Sequence, residues 1–275
     1  MTRRADTRRA WAVLAVAAVL AAGGCSGRAP KPAALGGDAA GRSGEPSAVN
    51  ASPSGSLPAT APAAVAARLV FHGDERVRKV ALTFDLCEVP SKPSGFDQKL
   101  VDVLIDENAP ATFMMGGHWA ETHAQDAKFL ANVAFFEIGN HSYAHRHPTR
   151  ITAEGFRREI EAAQAAITQV TGRAPRVFRF PYGEHDAVTV AKVASEGLVP
   201  VQWSVETGDP DPKVSAAAIL GAVRHGTRNG SIIIMHANGR GWHSAEALPK
   251  VIAWLRGQGY ELVTVSELLG TSAGQ

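Results

Sequence analysis

Lys79–Pro90 reads KVALTFDLCEVP, and the reading of this stretch decides the fold. Val80-Ala81-Leu82-Thr83-Phe84 runs without a charged break into one carboxylate, Asp85. A run that is apolar on both faces marks a strand buried on both sides, as in a parallel sheet covered by helices. Runs of the same kind return at ATFMM (111–115), AFFEIG (134–139), RVFRF (176–180), LVPVQWSV (198–205), SIIIMH (231–236) and ELVTV (261–265). Helical periods separate them. The clearest predicts a helix N-capped by Thr152 and stopped at Gly172, with Phe156, Ile160, Ala163, Ile167 and Val170 on one face. A second starts near Ser244, turns Leu248, Val251, Ile252 and Leu255 inward, and stops around Gly257–Gly259. It accommodates Pro249 only if that residue lies in the first turn. Strand and helix alternating over residues 67–275 imply an α/β domain, either a barrel or a doubly wound sheet.

Outward from this domain the composition changes. The chain has 275 residues and a formal net charge of +2. Arg3, Arg4, Arg8 and Arg9, with Asp6, account for the excess, since without them 24 basic and 25 acidic side chains remain. The rest of the chain therefore lacks the basic patch that nucleic acid requires. MTRRADTRRA followed by WAVLAVAAVLAA is a positive segment and a short apolar one, so residues 1–24 are expected to be an export signal. AAGGCSG then resembles a bacterial lipoprotein signal, with Cys25 as the lipid-bearing residue, although Ala22 departs from its usual Leu. Residues 25–66 are rich in Ala, Pro, Gly and Ser, with no apolar period, and read as a disordered tether. The expected location is the cell envelope, with membrane contact only through that lipid; plain secretion is the other reading. No protein partner is inferred. Cys25 and Cys87 are the only cysteines, so no disulfide framework is expected. Cys87 is read as a small buried hydrophobe.

Polar residues gather just beyond the strands. Asp85 and Glu88 follow the first, His141, His145 and His147 the third, and Arg179, Tyr182 and His185 the fourth. Glu206 and Asp209 follow the next, and His236 and Asn238 the last but one. In parallel α/β folds these ends meet on one face, where active sites are built. His141 and His145, four apart, would point the same way on a helical turn and could share a metal ion. Taken singly, each of these residues has a plain structural reading: strand cap, braced turn or satisfied core histidine.

In this order, TFD (83–85), HSYAH (141–145), RFPYG (179–183), TGDP (207–210) and IMH (234–236) resemble the polysaccharide deacetylases, the NodB-homology group of carbohydrate esterase family 4. The resemblance runs from about Val77 to Leu269. It implies a deformed (β/α) barrel, a divalent metal ion, read as zinc, and hydrolysis of acetyl groups on an N-acetylated glycan. It implies His141 and His145 as metal ligands, Asp85 as general base, Arg179 as its partner, His236 as general acid, Asp209 as the partner of His236, and the Tyr182 N–H at the oxyanion. The chemistry is coherent, since amide hydrolysis needs a nucleophile available at neutral pH, an oxyanion site, and an acid and a base in opposite protonation states.

One position departs. Leu86 stands where the family carries a metal-binding Asp. Either Glu88, on the same side of an extended chain as residue 86, or water completes the site, or Asp85 turns to the metal. Otherwise the ion is lost and the domain binds glycan without cutting it. Trp242, in the loop after His236, is expected to stack on a sugar ring, and Trp203 is a second candidate. A small acetylated compound as substrate is a third possibility.

Overall fold

The computed structural model describes residues 68–89 and 94–271. The expectations for residues 1–66 lie outside the described residues. Eight parallel strands form one curled sheet: β1 (Lys79–Leu86), β2 (Ala111–Met115), β3 (Phe136–Asn140), β4 (Val177–Arg179), β5 (Val199–Val201), β6 (Val205–Glu206), β7 (Ile232–His236) and β8 (Glu261–Val263). The order is β5-β4-β3-β2-β1-β7-β6, with β8 on the first residues of β1 and β2 on its last. The helices are α1 (Gln98–Asp106), α2 (Gly117–Thr122), α3 (Ala124–Asn132), α4 (Ala153–Thr171), α5 (Ala187–Ser195), α6 (Ala216–Gly226), α7 (Ser244–Gly257) and α8 (Val265–Leu268). This is the deformed (β/α) barrel. No ladder joins β5 to β6. Instead Val70 pairs with Val201 and His72 with Ser231, so the segment before β1 touches both sides of that gap.

Side-chain parity organises the core, because successive residues of a strand face opposite ways. Val80, Leu82, Phe84 and Leu86 join the cluster under the helices, with Phe84, Phe113 and Phe136 in ring contact. Ala81, Met114, Val177, Val201 and Ile232 form a separate cluster inside the barrel. Thr83 and Asp85 share the parity of Ala81, so the inner column of β1 becomes polar toward its carboxyl end. The parallel connections cover both faces with protein, which is why these strands read as unbroken apolar runs.

The helix expected over 152–172 is α4, with Thr152 Oγ1 accepting from the Gly155 N–H and Gly172 left-handed at φ 73°. α7 differs from expectation. Pro249 lies in its second turn, where the missing N–H would have reached Ala245, and the helix continues around it. LVPVQWSV is two short strands, because the chain turns at Gln202–Ser204. ELVTV stops at Val263, because Thr264 caps α8 in a capping box with Glu267; the T-x-x-E spacing outweighs β-propensity there.

Candidate active site

Three strands, β1, β4 and β7, deliver a titratable or charged residue at or next to their carboxyl ends. Asp85 is paired in register with His236 across β1 and β7. Arg179 ends β4 and is fully buried. Its guanidinium donates to Asp85 Oδ1 at 2.8 Å and to Thr83 Oγ1 at 2.8 Å, and lies 5.7 Å from the Trp203 ring. Burial alone would raise the Asp85 pKa. The positive groups around it, His141 when protonated and Arg179 permanently, outweigh burial and hold the carboxyl down to about 2.

His141 and His145 are brought together, but not by a helical turn. They lie in a loop after β3 in which Ser142 (φ 61°) and His145 (φ 51°) both adopt left-handed backbone, a conformation that non-glycine residues hold only where the surroundings enforce it. The enforcement is visible. Ser142 N–H donates to Asn140 Oδ1, His145 N–H to Ser142 Oγ, and Ala144 N–H to Glu159 of α4. Asn140 is itself tied to α4 through the Ile160 carbonyl and Gln164. The free N–H groups of Gly117 and His118, at the start of α2, take the Ser142 and Tyr143 carbonyls. The two rings then sit 4.9 Å apart, centre to centre. His141 Nδ1 bonds the Arg179 carbonyl, which directs Nε2 inward to within 3.5 Å of Asp85 Oδ2. Burial lowers the pKa of both rings, that of His145 to about 2. His145 Nδ1 is buried with no hydrogen-bond partner among the described residues.

Opposite them, Asp209 is buried and accepts from the His236 N–H at 2.7 Å, from His236 Nδ1 at 2.9 Å and from Ser244 Oγ at 2.6 Å. Gly241 makes this packing possible, since a Cβ there would fall 2.2 Å from the His236 carbonyl oxygen and 2.9 Å from Asp209 Oδ2. Asp85, His145, Tyr182, Trp203, Asp209 and His236 line one cleft of about 250 Å³, together with Arg240. Tyr182 is held left-handed at φ 59°, its ring stacked on His147 and edge-on to His145. His147 is also bonded to Glu184.

Several side chains lie elsewhere than the sequence analysis expects or do more than it expects. Glu88 does not approach the histidine pair: its carboxylate bonds His118 and Thr122 on α2. Leu86 does not face the site, being fully buried in the core under the helices. Cys87 is buried, but it is more than a hydrophobe: its sulfur and ring nitrogens of His141 and His145 all lie within 4.8 Å of one another. Burial pushes the Cys87 thiol up to about 12. Alternation from Asp85 was the available signal for Cys87, because residues 85 and 87 share the inner face. Glu159 was also missed; its signal is an acid inside the apolar stripe of α4. Trp242 is exposed and does not line the cleft, although its N–H bonds the Asp209 carbonyl beside it. His185, His225 and His123 take no part in the cluster.

A family model described as polysaccharide deacetylase matches residues 72–201. A peptidoglycan-N-acetylglucosamine deacetylase of Bacillus cereus is 33% identical over 205 residues, 74% of this chain and 72% of that protein. A crystal structure of a peptidoglycan N-acetylglucosamine deacetylase, in complex with 4-naphthalen-1-yl-N-oxidanyl-benzamide, aligns at 32% identity and a TM-score of 0.69, over 75% of this chain and 95% of that one. A carbohydrate esterase family 4 pseudoenzyme from Bacillus anthracis aligns at 24% identity and a TM-score of 0.67, over 74% and 69% of the two chains, and shows the shared fold alone.

Proposed function

The chain belongs to the polysaccharide deacetylase family, and from that premise we propose that it is a metal-dependent hydrolase removing acetyl groups from an N-acetylated glycan of the cell envelope. The observation that carries this reading is the meeting of Asp85–Arg179 and Asp209–His236 on either side of a buried imidazole pair. His141 and His145 would hold the divalent cation. The fit rests on two buried rings and on the unpartnered Nδ1 of His145. Borderline-soft imidazole suits zinc. The cation, when bound, supplies Lewis-acid activation for amide hydrolysis.

The chain's own residues do the rest. Asp85, kept ionised beside Arg179, accepts the proton of the attacking water. His236 delivers a proton from Nε2 to the leaving amine, because Nδ1 is engaged by Asp209, which fixes the tautomer and the ring's direction. The Tyr182 N–H, aimed by its left-handed backbone, is the donor to the oxyanion, a contribution of about 3 kcal/mol. Trp203 in the cleft and Trp242 beside it offer apolar faces to a sugar ring.

The envelope placement follows the activities of the relatives, which are peptidoglycan deacetylases. Export by residues 1–24, a tether over 25–66 and a lipid on Cys25 complete the proposal. No helix among the described residues is long and apolar enough to cross a membrane. The test is acetate release from chitin oligomers, stopped by a chelator and restored by zinc. Glycan binding that survives chelation, with no acetate formed at full zinc loading, would instead make the domain a non-catalytic glycan-binding module.

A further inference from the structure

We propose that Cys87 is the third protein ligand of the cation, a thiolate standing where a carboxylate is expected. The inference deepens the deacetylase reading and rests on it for the presence of a cation at the histidine pair. Its geometry is independent of that reading. Leu86 is turned into the outer core, and the next residue returns to the inner face, where Sγ joins the two imidazoles within 4.8 Å. Two groups hold the sulfur from behind. Asn238 Nδ2 donates to the Cys87 carbonyl at 2.9 Å and approaches Sγ at 3.5 Å. Arg240 Nη2 donates to Sγ at 3.0 Å.

The Asn238 bond satisfies a buried backbone carbonyl and fixes the position of Cys87. A neutral thiol buried as a mere hydrophobe needs no guanidinium against its sulfur, whereas a thiolate ligand uses one, in the way that outer partners orient and charge-balance metal ligands. On the other side, His145 Nδ1 is a buried ring nitrogen with no hydrogen-bond partner among the described residues. Binding forms an Sγ–metal bond and releases the thiol proton to solvent, with no change of oxidation state. Asp85 then stays free of the cation and keeps its role toward water. Three protein donors, one sulfur and two nitrogens, leave a position open for substrate. They favour zinc or cobalt(II) over magnesium, calcium or manganese, which suit oxygen donors.

The test is X-ray absorption at the zinc edge on the zinc-loaded, full-length protein. The expected shell has one sulfur at about 2.3 Å and nitrogens at about 2.0–2.1 Å. Cys87→Ser should remove the sulfur and weaken zinc binding at least about 100-fold, beyond the usual loss of an outer partner. Cys87→Asp should recover part of that affinity with a sulfur-free shell. In cobalt(II)-loaded protein the near-ultraviolet thiolate band should be present in wild type and absent in both variants. A zinc shell without sulfur in the wild type overturns the inference, and so does failure to bind zinc. Both outcomes are read without turnover and without relying on a variant that folds. Acetate release from protein with a sulfur-free shell would leave the deacetylase reading intact. A sulfur-containing shell in protein that releases no acetate would do the reverse.

Discussion

Toward the amino end of the sheet, Glu137 of β3 accepts from the Thr112 hydroxyl and from both the hydroxyl and the N–H of Ser266. At the carboxyl end, Asp85 of β1 faces a guanidinium and an imidazole instead. The first carboxylate is satisfied by neutral donors from β2 and α8, and it ties those elements together. The second lies in a region where satisfaction is incomplete. The buried polar atoms without partners among the described residues, His145 Nδ1, Arg179 Nε and Gln202 Oε1, all belong to the carboxyl end. Buried polar groups in folded proteins are almost always paired, and exceptions need a reason. Here the reason is a site shaped for something other than the chain itself. One end of the barrel spends its polar groups on folding, and the other holds them ready for a ligand.

Three substitutions probe that contrast. The largest effect is expected at the unsatisfied end. His141→Ala should cut metal affinity by more than the roughly 10–100-fold that outer-shell losses cost and should abolish acetate release with it, as read by metal analysis and product assay. Stability should change far less than activity. Next, Leu86→Asp adds a second carboxylate, beside Asp85 in the chain but on the apolar face under the helices. It should cost about 3–5 kcal/mol in denaturant unfolding, because the charge is buried without a partner, and it should not raise metal affinity. If it folded normally and bound zinc more tightly, the parity assignment of Leu86 and Cys87 would be wrong. Smallest, Glu137→Ala should lose about 1–3 kcal/mol of stability from its orphaned donors while acetate release per folded molecule stays at the wild-type level.

Most strands were legible because burial on both faces leaves nothing but apolar runs, and α4 because Thr152 and Gly172 bracket its period. What alternation along β1 placed inside the barrel was legible in principle, yet the reading carried position 86 forward to Glu88 by the same rule that should have carried Asp85 forward to Cys87. The family's adjacent acids drew attention to the wrong parity. The histidine pair was found by spacing, but its geometry was not, because left-handed backbone at Ser142 and His145 depends on Glu159 and α2, both distant in sequence, and on an Asn140 side chain that α4 holds in place. LVPVQWSV read as one strand because local propensity does not reveal where a sheet edge ends. Pro249 was expected in the first turn, although packing of Leu248, Val251 and Ile252 sustains the helix through it in the second.

The most direct test of the central claim, that Asp85 acts on water beside a cation it does not hold, is Asp85→Asn equilibrated with the same free zinc concentration as the wild type. Bound zinc and acetate released from a chitin oligomer would be measured on the same samples. The account predicts zinc equal to wild type and acetate release lowered by about 10²–10⁴-fold, the usual worth of a general base. Zinc lost together with activity, or acetate release unchanged, would contradict it.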